Sequence, residues 1–253
     1  MGASPDVGAR AIRRRFEPTD LELESSGTAE LDVQAGLVRG PDAFRIAVPD
    51  AELDLGLLPN LEIDIDGAVA FEGPADGGFR FGAGDRQLAL DNLWLGLKSG
   101  LYAVDDLARG YAFALGLQAG PKLPLARGAR GIGIEGLLLA GLHRGGTHLI
   151  FNLGGLLDPS VDGADRPRGA EGGVDLDHDL DAAGRWSLNA EVGAVLFTSE
   201  DPNQLTATAG IAWSPNDNFE LSLAGLFGAF PGSDRYGLLL GLSPKIALWH
   251  QSR

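Results

Sequence analysis

The chain alternates between apolar and polar residues along most of its length. The stretch AELDLGLLPNLEIDIDG shows this most clearly, because aliphatic side chains occupy one face of two adjacent segments and carboxylates occupy the other. A period of two is typical of β-strands, in which successive side chains point to opposite faces of the sheet. Convincing helical periodicity is hard to find, so the pattern predicts an all-β protein.

The lengths of these segments and of their connections indicate the kind of β-structure. About twelve alternating segments run from TAELDVQAGLV to RYGLLLGLSPKIALW, and most are about 9–14 residues long. Globular strands average about five or six residues, whereas a tilted strand that crosses a bilayer needs about 9–11. The short connections LLPN, HRGG, DAAGR and SPNDN mostly alternate with longer polar ones, and GLYAVDDLARG is the exception. We therefore expect an antiparallel up-and-down transmembrane β-barrel of about 12 strands.

The second segment contains Pro49 at a point where the phase of the alternation shifts. Proline inside a strand favours an edge or a bulge, and a bulge here would keep both halves of the segment facing the same way. No change of composition marks a domain boundary. We expect an N-terminal periplasmic segment over residues 1–27, a single barrel domain over 28–249 and a short tail over 250–253.

Two arrangements of the faces are compatible with alternation alone. A soluble barrel would enclose the aliphatic face as an apolar cavity, whereas an inverted barrel would turn that face to lipid and line its lumen with acids. The polar face mixes acids with many glycines and alanines, and lysine is rare in the strands, which favours inversion. In an inverted barrel, the alternation would place His178 on the lipid-facing side. That position is acceptable only if its end of the strand lies near a rim, or if the strand alternates in the opposite phase. Aromatic residues near segment ends suggest interfacial girdles, namely Trp186, Trp213, Tyr236 and Trp249.

The amino-acid composition limits the classes of partner that this chain is expected to bind. The net charge of -15 argues against a nucleic-acid partner, because phosphate binding needs clustered lysine and arginine. Cysteine is absent, which excludes disulfides and thiolate metal sites. The first fifteen residues lack the apolar core of a signal peptide, so either the protein stays inside the cell or a signal is absent from this chain, and we expect the latter. The expected partners are a lipid bilayer or detergent and a small-molecule or ion solute, with a monomer favoured over an oligomer.

With the N-terminus in the periplasm, most of the inward acids are expected to ring the lower lumen, and Glu135 and Glu191 are placed higher. The alternation places two lysines, Lys98 and Lys245, on the inward face of the strands. The expected acidic lining consists of Glu30, Asp32, Glu52, Asp54, Glu62, Asp64, Asp66, Asp177, Asp179, Glu191 and Glu220.

Like charges on neighbouring strands about 5 Å apart repel, so something must offset them. Three explanations are open: some carboxylates are protonated, a cation such as Ca²⁺ binds, or a basic segment enters the mouth. The basic segment would be Arg13, Arg14 and Arg15, acting as a plug just before the first strand. Beyond such a cation, no cofactor is expected.

No enzymatic signature emerges. The hydroxyls of Ser187 and Ser222 lack a Gly-x-Ser-x-Gly context, and no histidine can be paired with them by spacing. His143 and His148 flank a tight turn and are interpreted as polar rim residues. GARGIGIEG is not a phosphate-binding loop, because no helix follows it and the Lys-Ser/Thr ending is missing.

The long alternating segments, together with the turn starts LLPNLEIDIDG and SPNDNFELSLAG, resemble a family of outer-membrane transporter-like barrels grouped with the phenol-degradation meta-pathway proteins. The resemblance covers roughly Thr28 to Trp249 and contains no catalytic signature. It implies a Gram-negative outer-membrane location and passage of small, often hydrophobic molecules. Such barrels usually end on an aromatic residue, whereas here Trp249 is followed by HQSR.

The leading functional hypothesis is a channel or transporter for small solutes, with an acidic lumen that favours cations. The alternatives are a structural or partner-binding outer-membrane barrel with a filled lumen, and a soluble barrel that binds an apolar ligand.

Overall fold

The computed structural model describes residues 23–40, 44–72, 87–106, 111–126, 128–161 and 165–248. Twelve antiparallel strands, each paired with its neighbours along the chain, form a sheet that closes when the last strand pairs with the first. The predicted all-β up-and-down barrel of about twelve strands is confirmed. The strands are β1 Thr28–Arg39, β2 Phe44–Leu58, β3 Leu61–Glu72, β4 Leu93–Asp106, β5 Tyr111–Leu123, β6 Gly133–Arg144, β7 Thr147–Leu157, β8 Arg168–Asp179, β9 Trp186–Phe197, β10 Gln204–Asn216, β11 Phe219–Gly228 and β12 Tyr236–Ala247.

Three short strands are additional to the twelve strands of the barrel wall. Gln87–Leu90 pairs with the far end of β3, and Ala129–Arg130 pairs with Ser160–Val161 in a separate two-stranded ribbon. Across the described ranges, no helix is long and apolar enough to span a membrane.

The two rims of the barrel differ in their connections. The rim at which β1 begins, called the turn rim here, carries connections of two to six residues, such as 59–60, 145–146, 180–185 and 217–218. The opposite loop rim carries connections of four residues or more, and those at 124–132 and 158–167 have nine and ten residues. GLYAVDDLARG is no exception, because its first seven residues, 100–106, belong to β4. Ser99 of β4 pairs with Leu61, the first residue of β3. The residues of β4 that follow Ser99 therefore extend past the start of β3 and pair with β5 alone.

Side-chain burial shows that the barrel is inverted. Leu153 and Leu138, at the centres of β7 and β6, point outward and are 66% and 59% exposed. Asp64 and Gln118 point into the lumen and are 0% exposed. A soluble barrel would show the opposite arrangement, with its leucines enclosed. The aliphatic face predicted from the sequence therefore forms the outer surface.

The bulge expected at Pro49 is present in the backbone. The register of β2 against β3 shifts between Ala47 and Asp50, and that of β1 against β2 shifts between Gln34 and Gly36. The extra residue restores the phase of β2, so that its acids near the turn rim face the lumen.

Aromatic side chains mark both rims on the outer surface. Trp186 and Trp213 stack near the turn rim with ring centroids 6.0 Å apart, and Phe44 and Tyr236 meet edge to face near the loop rim at 6.3 Å. Trp249 lies outside the described residues. His178 is exposed at the end of β8, where its Nδ1 lies 2.8 Å from Thr147 Oγ1, so its outward position is explained by the rim.

Candidate functional site: an acidic cluster in the lumen

The acids of β1, β2 and β3 lie side by side on one wall of the lumen. Strand register sets Glu30 opposite Asp54, and Asp54 opposite Asp64. Because side chains alternate along each strand, every second residue adds another inward carboxylate. The result is a single patch, the acidic cluster, which consists of Glu30, Asp32, Glu52, Asp54, Glu62, Asp64 and Asp66.

Two lysines flank this cluster on the neighbouring strands. Lys98 of β4 places its Nζ 2.8 Å from Glu62 Oε1, and its side chain is buried. Lys245 of β12 places its Nζ 3.3 Å from Glu30 Oε2 and 2.8 Å from Glu24 Oε1. Each lysine therefore stabilises one edge of the cluster, and Asp54 lies between them.

Glu24 is a member of this site that the alternation could not reveal, because it precedes the first strand. It is buried, its backbone N–H donates to Glu62 Oε2, and its own Oε2 accepts a hydrogen bond from Thr28 Oγ1 at 2.8 Å. Glu24 thereby links Lys245 on one side of the mouth with Glu62 on the other.

Residues 23–27, called the N-terminal strap, cross the turn rim above β2. The Gly27 N–H donates to the Gly56 carbonyl at 2.8 Å, and Ser26 Oγ donates to the Leu57 carbonyl at the same distance. Any Cβ at Gly56 would collide with the carbonyl oxygens of the strap. Leu23 at its far end approaches Gly100 of β4. The strap therefore leads the chain from the wall at β1 across the mouth.

A second group of acids lies on the opposite wall, on β8 and β9. Asp177 accepts a hydrogen bond from Asn189 Nδ2, Thr208 Oγ1 lies 3.5 Å from Glu191 Oε2, and Asp175 is buried beside them. These strands stand about half-way round the barrel from β2. These acids of β8 and β9 therefore form a separate group on the wall that faces the acidic cluster.

The remaining predicted acids stand apart from both groups. Asp179 ends β8, where its backbone N–H donates to the Gly146 carbonyl at 2.7 Å. Glu220 of β11 accepts a hydrogen bond from Ser214 Oγ at 2.7 Å.

Lys122 of β5 is an inward lysine that the sequence analysis missed. Its Nζ contacts the Glu135 carboxylate and lies 3.1 Å from Asp158 Oδ1 in the loop rim. The alternation contained the signal, because Lys122 follows the inward Gln118 by four residues and shares its face. The intervening Pro121 obscured the continuation of the strand.

The lumen also contains apolar side chains. Trp94, Leu137 and Leu139 pack together on β4 and β6 and are almost fully buried. A second buried group consists of Val38, Ala224, Leu226 and Leu239. The interior of the barrel is therefore partly filled by packed side chains, which narrows any passage through it.

The predicted plug residues Arg13, Arg14 and Arg15 lie outside the described residues. Chemically, the described site offers a dense group of carboxylate oxygens with two lysines at its edges. It offers oxygen ligands of the kind that calcium prefers.

Comparison with known proteins relates the chain to porins at the level of the fold. No protein-family model and no curated protein sequence matches the chain. Among solved structures, the NanC porin superposes with a TM-score of 0.58 at 8% identity, covering 85% of this chain and 100% of the porin. The KdgM porin gives 0.54 at 7% identity, covering 85% and 98%. The chain therefore has a porin-like barrel fold, and the narrower resemblance to the meta-pathway group stays a prediction.

Proposed function

We propose that this protein is an outer-membrane channel for small solutes. The observation that carries the proposal is the inverted barrel, with exposed leucines on the outside and buried charged groups within. An outer surface of this kind is stable in lipid and unfavourable in water. The porin-like fold supports the same conclusion. Because twelve strands enclose a narrow lumen, the solutes are small molecules or ions rather than large solutes diffusing in bulk.

The proposed channel favours cations. Eight carboxylates, the seven of the acidic cluster and Glu24, share one mouth with only Lys98 and Lys245 among the described lysines. Within a narrow lumen with low-dielectric walls, this excess of negative charge lowers the energy of a passing cation and raises that of an anion.

Reconstitution into planar lipid bilayers tests the channel. We expect discrete conductance steps when the purified protein is added to a bilayer between salt solutions. Addition of the same detergent without protein is the control. A protein that inserts into the bilayer but produces no steps would contradict the channel.

The second candidate is a structural or partner-binding barrel with a filled lumen, and the packed apolar residues inside the barrel favour it. Trp94, Leu137 and Leu139 occupy space that an open pore would leave to water. Insertion without conductance is the outcome that this candidate predicts, so the bilayer measurement separates the two.

The N-terminal strap supports a further part of the proposal, in which residues 1–22 partly block the mouth. The strap leads the chain across the turn rim beside the acidic cluster, and Arg13, Arg14 and Arg15 would carry complementary charge there. We expect deletion of residues 1–22, which leaves Glu24 and the strap intact, to raise the single-channel conductance. A second variant replaces the three arginines by glutamine in the full chain, which keeps the segment and removes its positive charge. If both variants conduct as the original protein does, the segment is no plug.

A further inference from the structure

We infer that Arg39, at the end of β1, binds the phosphate group of an anionic membrane lipid on the outer surface of the barrel. Strand register places Arg39 between two aromatic residues, Phe44 of β2 and Tyr236 of β12. These three residues are called the arginine–aromatic row here. The site rests on the lipid-facing outer surface and goes beyond the proposed channel, because lipid binding at the rim requires no conduction.

The arginine–aromatic row lies at the boundary between the apolar outer surface and the loop rim. Leu37 and Leu238 are opposite each other on β1 and β12, and both are exposed on the outer surface. Arg39 and Tyr236 lie two residues further towards the loop rim on the same face, about 7 Å along the strands. Because β1 ends at Arg39 and β2 begins at Phe44, the row is the last outward layer of this wall. That level is where lipid headgroups meet a transmembrane barrel.

The guanidinium of Arg39 is stacked on a ring but is not paired with an acid. Its Cζ lies 5.2 Å from the centroid of the Phe44 ring, and the Phe44 ring meets the Tyr236 ring edge to face. Its Nη1 is shielded from solvent and has no hydrogen-bond partner among the described residues. The side chain is only half-buried, so part of it faces the surroundings of the barrel. A partly desolvated guanidinium without an acceptor is costly, and a phosphate oxygen would satisfy it.

The charges beside the row also favour an anion. Arg235 directly precedes Tyr236, is exposed, and its backbone N–H donates to the Arg39 carbonyl at 2.7 Å. Asp234, the next residue towards the N-terminus, is buried and accepts hydrogen bonds from Arg45 Nη2 at 2.8 and 2.6 Å. This carboxylate is therefore turned towards Arg45 rather than towards Arg39. Two arginines stand together at this corner of the rim, and their positive charge attracts an anionic headgroup.

A lipid phosphate suits this arrangement in shape as well as in charge. A guanidinium presents its N–H groups as a planar fork that matches the oxygens of a phosphate, and stacking on an aromatic ring leaves the edge of that fork available. The acyl chains of the same lipid would lie along the exposed Leu37 and Leu238 below the row. Because the row is on the outer surface, it meets membrane lipids rather than solutes in the lumen.

Titration of the purified protein in a non-ionic detergent with dioleoylphosphatidylglycerol tests the inference. Native mass spectrometry counts the bound lipid, and dioleoylphosphatidylcholine is the zwitterionic comparison. We expect tighter binding of the anionic lipid. R39Q should weaken that binding about fivefold, which is the effect of one arginine at an anionic lipid surface. F44L keeps the charge and removes the ring, and should weaken binding about twofold to fivefold.

Two further variants complete the test. Arg130 is also exposed and lies in the short ribbon at the loop rim, so R130Q removes the same charge and should leave lipid binding unchanged. R39K keeps the charge but not the planar fork, so it should weaken binding by a smaller factor than R39Q. R39K also provides the measurement if R39Q fails to fold.

Equal binding of the two lipids, unchanged binding in R39Q and R39K, or an equal loss in R130Q would overturn the site. Inorganic phosphate in excess over the lipid should not displace it, and displacement would indicate a site for free phosphate instead of a lipid. Because lipid binding is measured in detergent, its failure is distinguishable from a failure of conductance in a planar bilayer.

Discussion

Replacement of Leu153 by arginine is expected to weaken insertion of the barrel into a bilayer. Leu153 lies at the middle of β7, and 66% of its side chain is exposed on the outer surface. Arginine at the midplane of a lipid-facing strand costs about 2–4 kcal/mol. That is a large fraction of the stability of a typical domain, about 5–15 kcal/mol. Folding into lipid vesicles, followed by circular dichroism and protease resistance, measures the loss.

The matched control is L125R. Leu125 is similarly exposed at 53%, but it lies in the connection after β5 rather than in a strand, so its replacement should leave insertion unchanged. If the outer surface faced water instead, L153R would improve solubility without detergent and would leave folding intact. That result would contradict the lipid-facing assignment and favour a soluble barrel.

The second large effect concerns the acidic cluster. The triple variant D32N/E52Q/D54N replaces three lumen carboxylates by amides of the same shape, so the packing of the mouth is kept. In water, one charge at about 4 Å stabilises a cation by about 1 kcal/mol, which corresponds to roughly a fivefold preference. We therefore expect the cation-to-anion permeability ratio to fall at least fivefold, and the reversal potential under a salt gradient measures it.

The control variant D91N/E200Q/D217N also removes three negative charges, but from exposed connections between strands. Charges in contact with bulk solution are screened within about 10 Å at 0.1 M salt, so this variant should keep the original selectivity. An equal change in both triple variants would mean that net charge, rather than the acidic cluster, determines selectivity.

The strands and their faces could be predicted from the sequence because alternation has a fixed physical meaning in a sheet. Leu53 and Asp54 must point to opposite sides wherever the strand lies, and the length of the segments limited the choice of barrel. The same rule placed Lys98 and Lys245 in the lumen before any register was known. The connection GLYAVDDLARG was harder to interpret, because its first residues belong to β4. These residues extend past the start of β3, the neighbouring strand on one side.

The contacts of the candidate site could not be predicted, because they depend on register and on chain segments without periodicity. Glu24 belongs to no strand, and only the path of the strap brings it to Lys245 and Glu62. The partners of Lys122 come from β6 and from the loop rim, at sequence distances that alternation does not address. Alternation fixes the face of each acid, whereas the wall on which each acid lies follows from strand order and register.

The reversal potential of the chain in a planar bilayer under a potassium chloride gradient shows whether the lumen conducts cations in preference to anions. We expect discrete channels whose current reverses near the potassium equilibrium potential, because the acidic cluster admits cations and repels chloride. Reversal near the chloride potential, or stable insertion without any current, would contradict it.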